Sequence, residues 1–240
     1  MKAKYELLHE DTDLVIVNKP SGVLSIPDRF DATRWNLQQI LAEKYGEIFT
    51  VHRLDKETSG VICFARNEEA HRNLSMQFEQ REVEKIYYAL VEGRLAKKGE
   101  IDAPIAYHPH IKGKMLTNKR GKASLTLYKS LEHFKNYTLA EANIKTGRMH
   151  QIRVHFSSIN HPLAIDSMYG RKGEFRLSEI KRKRYNIGRE QEERPLMSRT
   201  TLHAHRLRIN HPTSGERLLF EAPLHKDFNA VLKQLRKWGK

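Results

Sequence analysis

Asp55 stands between two cations, Arg53 and Lys56, in the string His52-Arg53-Leu54-Asp55-Lys56-Glu57-Thr58-Ser59-Gly60. A Ser-Gly turn signal and the apolar run Val61-Ile62-Cys63-Phe64-Ala65 follow, which puts the carboxylate on a loop running into a strand. Cationic neighbours favour the charged form of a carboxylate, which can then serve as nucleophile, metal ligand or ion-pair anchor. On local physics alone the arrangement reads as a structural ion pair. Two further strings hold reactive side chains. Lys85-Ile86-Tyr87 sets a phenol in a strand, where an aromatic ring ordinarily packs in the core. Thr146-Gly147-Arg148-Met149-His150-Gln151-Ile152-Arg153-Val154-His155 gathers cations and imidazoles in what reads as a helix from Arg148 to Ser157.

Several elements are needed to position these groups. Leu14 to Val17 reads as a buried strand, ended by the turn-rich Asn18-Lys19-Pro20-Ser21-Gly22, in which Pro20 cannot donate and Gly22 permits positive φ. Asp31 is placed to cap a helix with Leu37, Ile40 and Leu41 on one face, stopped at Gly46. Asn67 caps a second, in which Ala70, Leu74 and Phe78 recur at the spacing of one helical face. Lys85 to Gly93, Ser124 to Leu131, Tyr137 to Ile144, His203 to Ile209 and Arg217 to Glu221 have strand composition, and a helix from Asp227 to Trp238 follows. Strands dominate, helices are interspersed singly, and no phosphate-cradling glycine loop occurs. The pattern predicts an α+β fold with a mixed, largely antiparallel central sheet flanked by helices and loops, in a single domain over residues 1–240. Residues 171–200 are the odd stretch. There Lys181-Arg182-Lys183-Arg184 precedes Glu190, Glu192 and Glu193, and the segment reads as a charged loop excursion within the domain.

Composition narrows the partner. The chain has 240 residues, 43 Lys and Arg against 29 Asp and Glu, and a formal net charge of +14, so its surface field attracts polyanions. No basic amphipathic helix offers an apolar face to a membrane, no apolar run reaches the roughly 18 residues of a span, and the N-terminus lacks a signal core. Nucleic acid is therefore the expected partner and the cytoplasm the expected compartment, with no membrane. The lone cysteine, Cys63, rules out an intramolecular disulfide and a multi-cysteine zinc site, and reads as core. Among the 13 histidines, the pairs His150/His155 and His203/His205 could suggest metal ligands. No HExxH accompanies them, so no metal is expected.

The strings together resemble the RluA family of RNA pseudouridine synthases, in that family's order along almost the whole chain. The opening motif is Val17-Asn18-Lys19-Pro20-Ser21-Gly22-Val23-Leu24-Ser25-Ile26-Pro27. His52 to Gly60, Lys85-Ile86-Tyr87 and Thr146 to His155 follow, and Leu202 to Leu207 and Phe220 to Leu224 also fit. The resemblance implies the pseudouridine synthase fold, an isomerase that needs no cofactor, and structured RNA, not DNA, as substrate. It assigns the catalytic aspartate to Asp55, the active-site tyrosine to Tyr87 and the cation pairing with the aspartate to Arg148. It further implies RNA contacts from Arg53, His52, Lys85 and Arg153, with Arg53 filling the space a flipped uridine leaves and Tyr87 stacking on the uracil and taking the C5 proton. Attack at C1′ and a glycal route after deprotonation at C2′ both remain open.

The short stretch ahead of Lys19 implies a stand-alone catalytic domain without the S4 domain of many relatives, acting as a monomer. Leu24 to Arg29 and Gly121-Lys122-Ala123 look most like the branch that modifies 23S rRNA and a tRNA anticodon arm. Where the family usually has glycine, this chain has Ile165. The alternatives are a catalytically silent RNA-binding or ribosome-assembly protein on the same fold and a metal-dependent nuclease. The joint presence of Asp55, Tyr87 and Arg148 speaks against the first, and the lack of a carboxylate cluster at metal-ligand spacing against the second.

Overall fold

The computed structural model describes residues 5–28, 31, 33–181, 185 and 192–239. In chain order its strands are β1 (Glu6–Glu10), β2 (Leu14–Lys19), β3 (Phe49–Thr50), β4 (Ser59–Ala65), β5 (Glu84–Glu92), β6 (Lys98–Asp102), β7 (Ile105–Tyr107), β8 (Met115–Thr117), β9 (Leu125–His133), β10 (Tyr137–Ile144), β11 (Leu202–Asn210) and β12 (Arg217–Glu221). The helices are α1 (Leu37–Tyr45), α2 (Glu68–Glu79), α3 (Gln151–Ser158), α4 (Leu177–Lys181) and α5 (Lys226–Trp238). The chain divides into two compact units, residues 1–87 with 203–223 and residues 88–202 with 224–240.

In the first unit β2 lies between β1 and β4, antiparallel to both, and β11 runs parallel to β4 with β12 antiparallel beside it. The continuous apolar runs of β2 and β4 are buried along their whole length, the pattern of strands covered on both faces. Helix α1 begins at Asn36 and not at Asp31. The Asn36 side chain accepts the Gln39 N–H at 3.0 Å, while Asp31 takes the N–H of Thr33 in a separate turn. Gly46 ends α1 at φ 80, and Asn67 caps α2 through the Ala70 N–H at 2.8 Å, both as the sequence predicts. Gly60 is obligatory. It pairs with Ala204, and a Cβ there would fall 2.1 Å from the Ala204 carbonyl oxygen, at a φ of +117.

In the second unit β9 pairs antiparallel with β10 and with β6, and β7 with β8 forms a separate hairpin. Among the strand pairs whose register is described, β4 with β11 is parallel and the others antiparallel, so the fold is α+β with mixed, mostly antiparallel sheet. Phe228, Val231, Leu232 and Leu235 of α5 recur at helical spacing and pack with Leu139, Phe134 and Ile165. Phe175, Ile180 and Met197 join the same cluster. Within residues 171–200 these three described side chains thus supply core. Arg182, Lys183, Arg184 and Glu190 lie outside the described residues. Ile165 is buried, is not among the positive-φ residues, and its N–H reaches the Thr201 hydroxyl, so that turn does without glycine.

Candidate active site

Asp55 is half-buried on the loop between β3 and β4, and the loop is held from the side by the segment after β2. The fully buried Lys19 ammonium donates to the carbonyls of Pro20 at 3.0 Å, Val23 at 2.7 Å and Lys56 at 3.1 Å. The Gly22 N–H also reaches the Lys56 carbonyl, at 2.9 Å. Ser25 Oγ brackets Leu54, donating to its carbonyl at 2.9 Å and accepting its N–H at 3.1 Å, while Ser21 Oγ donates to the Glu57 carbonyl at 2.8 Å. The carbonyl of Asp55 accepts the Thr58 N–H at 3.1 Å, which closes the turn. Main-chain contacts on both sides thus fix the backbone that carries the carboxylate. Arg53 is exposed and Leu54 buried, so successive residues of the loop face water, core and site. Lys56 lies 3.9 Å from Glu57, a pair of exposed groups that contributes little.

Tyr87 is buried at the end of the first unit's part of β5. Burial first, and the charge of Asp55 second, push its phenol well above the ordinary tyrosine value. Asp55 is therefore close enough for its charge to be felt at the hydroxyl. Lys85 shares the Tyr87 face because strand side chains alternate, and its ammonium lies 5.5 Å from the centre of the Phe78 ring. His52 stacks on that same Phe78 ring, with centroids 4.7 Å apart, and its Nε2 accepts the Cys63 N–H at 3.0 Å. Burial, then the Lys85 charge, lower the His52 pKa to about 3. His52 thus stands as a neutral acceptor in the scaffold, and Lys85 is buried.

Arg148 belongs to the second unit and precedes α3, which starts at Gln151, three residues later than its sequence suggests. His150 takes a left-handed backbone at φ 56 as the helix N-cap, and its Nδ1 pairs with the Tyr169 hydroxyl at 2.9 Å. The Gln151 side chain accepts the Arg148 N–H at 3.0 Å, and Arg148 Nε donates to the Ala123 carbonyl at 3.2 Å. Arg153 is placed differently. Its guanidinium is buried and bonds both oxygens of Asp166, at 2.7 and 2.8 Å. Burial alone would raise the Asp166 pKa. The Arg153 hydrogen bonds and charge, with the N–H groups of Met168 and Tyr169, outweigh it and hold the carboxyl low.

The histidine pairs are also engaged. His155 bonds Thr126 and the Ala103 carbonyl, and His203 bonds Ser59 Oγ and the Ala222 carbonyl. Asp11, Asp13 and His211 form the group with metal-like spacing among the described residues. Yet His211 Nδ1 accepts the N–H groups of Thr213 and Ser214, which puts the ring proton on Nε2, facing Asp11 at 3.3 Å. A metal at Nε2 would need an imidazolate, so the group reads as a hydrogen-bond cluster. Sequence reading held Lys19, Ser21, Gly22 and Ser25 as a structural turn and missed that the turn grips the Asp55 loop. Their bonds go to carbonyls and N–H groups, which no residue type announces.

Comparison with known proteins matches residues 13–158 to the family model described as RNA pseudouridylate synthase. Ribosomal large subunit pseudouridine synthase D of Nitrosomonas europaea is 38% identical over 236 residues, 96% of this chain and 65% of that protein. The chain thus spans about two thirds of that relative's length. The protein of the same name from Pseudomonas aeruginosa is 36% identical, over 97% of this chain and 72% of its own. Among solved structures, human RNA pseudouridylate synthase domain containing 1 superposes with a TM-score of 0.67 at 26% identity, over 97% of this chain and 95% of that one.

Proposed function

We propose that this chain, which belongs to the RNA pseudouridylate synthase family, isomerises uridine to pseudouridine in RNA of the large ribosomal subunit. The observation that carries the reading is Asp55, held by backbone clamps and felt electrostatically by a buried Tyr87. The reaction breaks the N1–C1′ bond and forms a C5–C1′ bond, while C5 loses a proton and N1 gains one. Electrons and water balance without a redox partner. Asp55 is the carboxylate that engages the sugar, and Arg148 is the cation assigned to it by the motif. A silent binder would have no use for so firmly held a carboxylate.

The uridine must leave its stack, at a cost of about a few kcal/mol, which an aromatic contact worth about 1–3 kcal/mol helps repay. Tyr87 supplies that contact. Its raised pKa keeps the phenol protonated, so it is no standing phenolate, and any proton it takes from C5 is matched by release of its own. Arg53, exposed beside the loop, is the side chain proposed to occupy the vacated stack. Backbone attraction comes from the second unit, where Ala103 to Leu131 holds six Lys and Arg and no Asp or Glu. Tyr107, at 72% exposure, projects from the β7–β8 hairpin in the same stretch as a base-stacking platform. The two units together are taken as one catalytic domain.

The test is pseudouridine mapping of large-subunit rRNA and of tRNA after incubation with the purified chain. New pseudouridine in the large-subunit RNA is expected. Product in tRNA alone would move the substrate assignment, and none in either would favour the silent binder.

A further inference from the structure

We propose that the Thr58 hydroxyl is kept for an oxygen of the flipped uridine, making it a catalytic contact beside Asp55; this rests on the functional reading above. Thr58 is 2% exposed, and its Oγ1 is buried without a hydrogen-bond partner among the described residues. Burying a hydroxyl unpaired lowers stability, and native folds avoid it unless something else is gained. The neighbouring hydroxyl shows that the fold supplies partners at this place, since Ser59 Oγ meets His203 Nδ1 at 2.9 Å. Position separates Thr58 from the other orphaned polar atoms. Asn18 already bonds Glu6 and the Pro223 carbonyl through its amide nitrogen, Thr50 and Asn143 are only half-buried, Arg206 Nε lies 3.7 Å from the Glu221 carboxylate, and Thr200 lies far along the chain in the second unit.

Thr58 is tied to the reacting group by its own backbone, because its N–H bonds the Asp55 carbonyl at 3.1 Å. The two side chains are therefore carried on one rigid turn. A uridine entering beside Asp55 brings ribose hydroxyls and uracil carbonyls, all able to accept from a hydroxyl. No apolar side chain of the same shape would serve. Valine is the matching control, since it keeps the β-branching that suits an extended backbone and removes only the hydroxyl.

The experiment compares full-length wild type, Thr58→Val and Thr58→Ser in thermal melts and in steady-state pseudouridine formation on the same RNA. Thr58→Val is expected to melt at or above the wild-type temperature while kcat/KM falls about 10- to 100-fold. Thr58→Ser restores most of the rate. A lowered melting temperature in Thr58→Val would assign the hydroxyl to the fold and overturn the inference, as would a wild-type rate in that variant or an equally slow Thr58→Ser. A wild-type chain that makes no pseudouridine in any RNA removes the functional reading and this inference together. An active wild type with an equally active Thr58→Val removes the inference alone.

Discussion

Replacing Lys19 with methionine removes the ammonium that ties the segment after β2 to the Asp55 loop. That ammonium donates to the carbonyls of Pro20, Val23 and Lys56. All three lose the Lys19 bond in the variant, but Lys56 keeps the Gly22 N–H, which leaves the Pro20 and Val23 carbonyls as the pair to count. Each buried carbonyl left unsatisfied costs about 1–3 kcal/mol, which gives about 2–5 kcal/mol for the pair after part of the lysine's own desolvation is relieved. Methionine keeps the apolar stem, so little packing is lost. Urea unfolding with linear extrapolation reads the stability, and the rate of pseudouridine formation reads the geometry of the loop. Because the clamp reaches the residue next to Asp55, the rate should fall even at temperatures where the variant is fully folded. A variant within about 0.5 kcal/mol of wild type and equally active would refute the reasoning, since surface-like changes fall in that range.

Tyr87→Phe keeps the ring and removes the hydroxyl, so RNA binding should hold while product formation drops about 10²- to 10⁴-fold, measured by release of tritium from C5. A wild-type rate would eliminate the proton-transfer role. The pKa shift adds a sign: the folded chain holds the Tyr87 proton above the ordinary tyrosine value near 10, so stability falls as pH rises past about 10, and the phenylalanine variant should lose less. His52 works at the opposite end. Its folded pKa of about 3 against 6.5 unfolded means stability is whole above about pH 6.5 and declines by up to about 1.4 kcal/mol per pH unit as pH falls towards 3. His52→Asn, which still offers an acceptor to the Cys63 N–H, should flatten the acid slope of urea midpoints; an unchanged slope would contradict the neutral assignment.

Much of this architecture is legible in the residues. The buried strands β2 and β4 are written as unbroken apolar runs, and the Asn67 cap and Gly46 stop carry their own chemistry. Asp31 misleads because any Asp before an apolar face looks like a cap, whereas Asn36 is the residue adjacent to the first turn. The short strands β1, β3, β6, β7 and β8 are too brief to show a period. Asp55 and Tyr87 are recognisable by their strings, but two arginines in similar strings part ways for a reason outside them. Arg53 stays exposed, and Arg153 is claimed by Asp166 thirteen residues further on. Lys19 is the clearest gap, since the carbonyls it donates to are main-chain groups that no residue type displays.

The central claim is that Asp55 performs the chemistry and the rest of the loop holds it in place. Asp55→Asn preserves the size and the main-chain bonds of the turn, because the Thr58 N–H binds the Asp55 carbonyl and not its side chain. Tritium release from uridine-labelled large-subunit RNA, with RNA affinity measured on the same preparation, isolates the carboxylate. The variant should bind RNA within about threefold of wild type, less than 1 kcal/mol, and make no product. Appreciable turnover by Asp55→Asn would contradict the account.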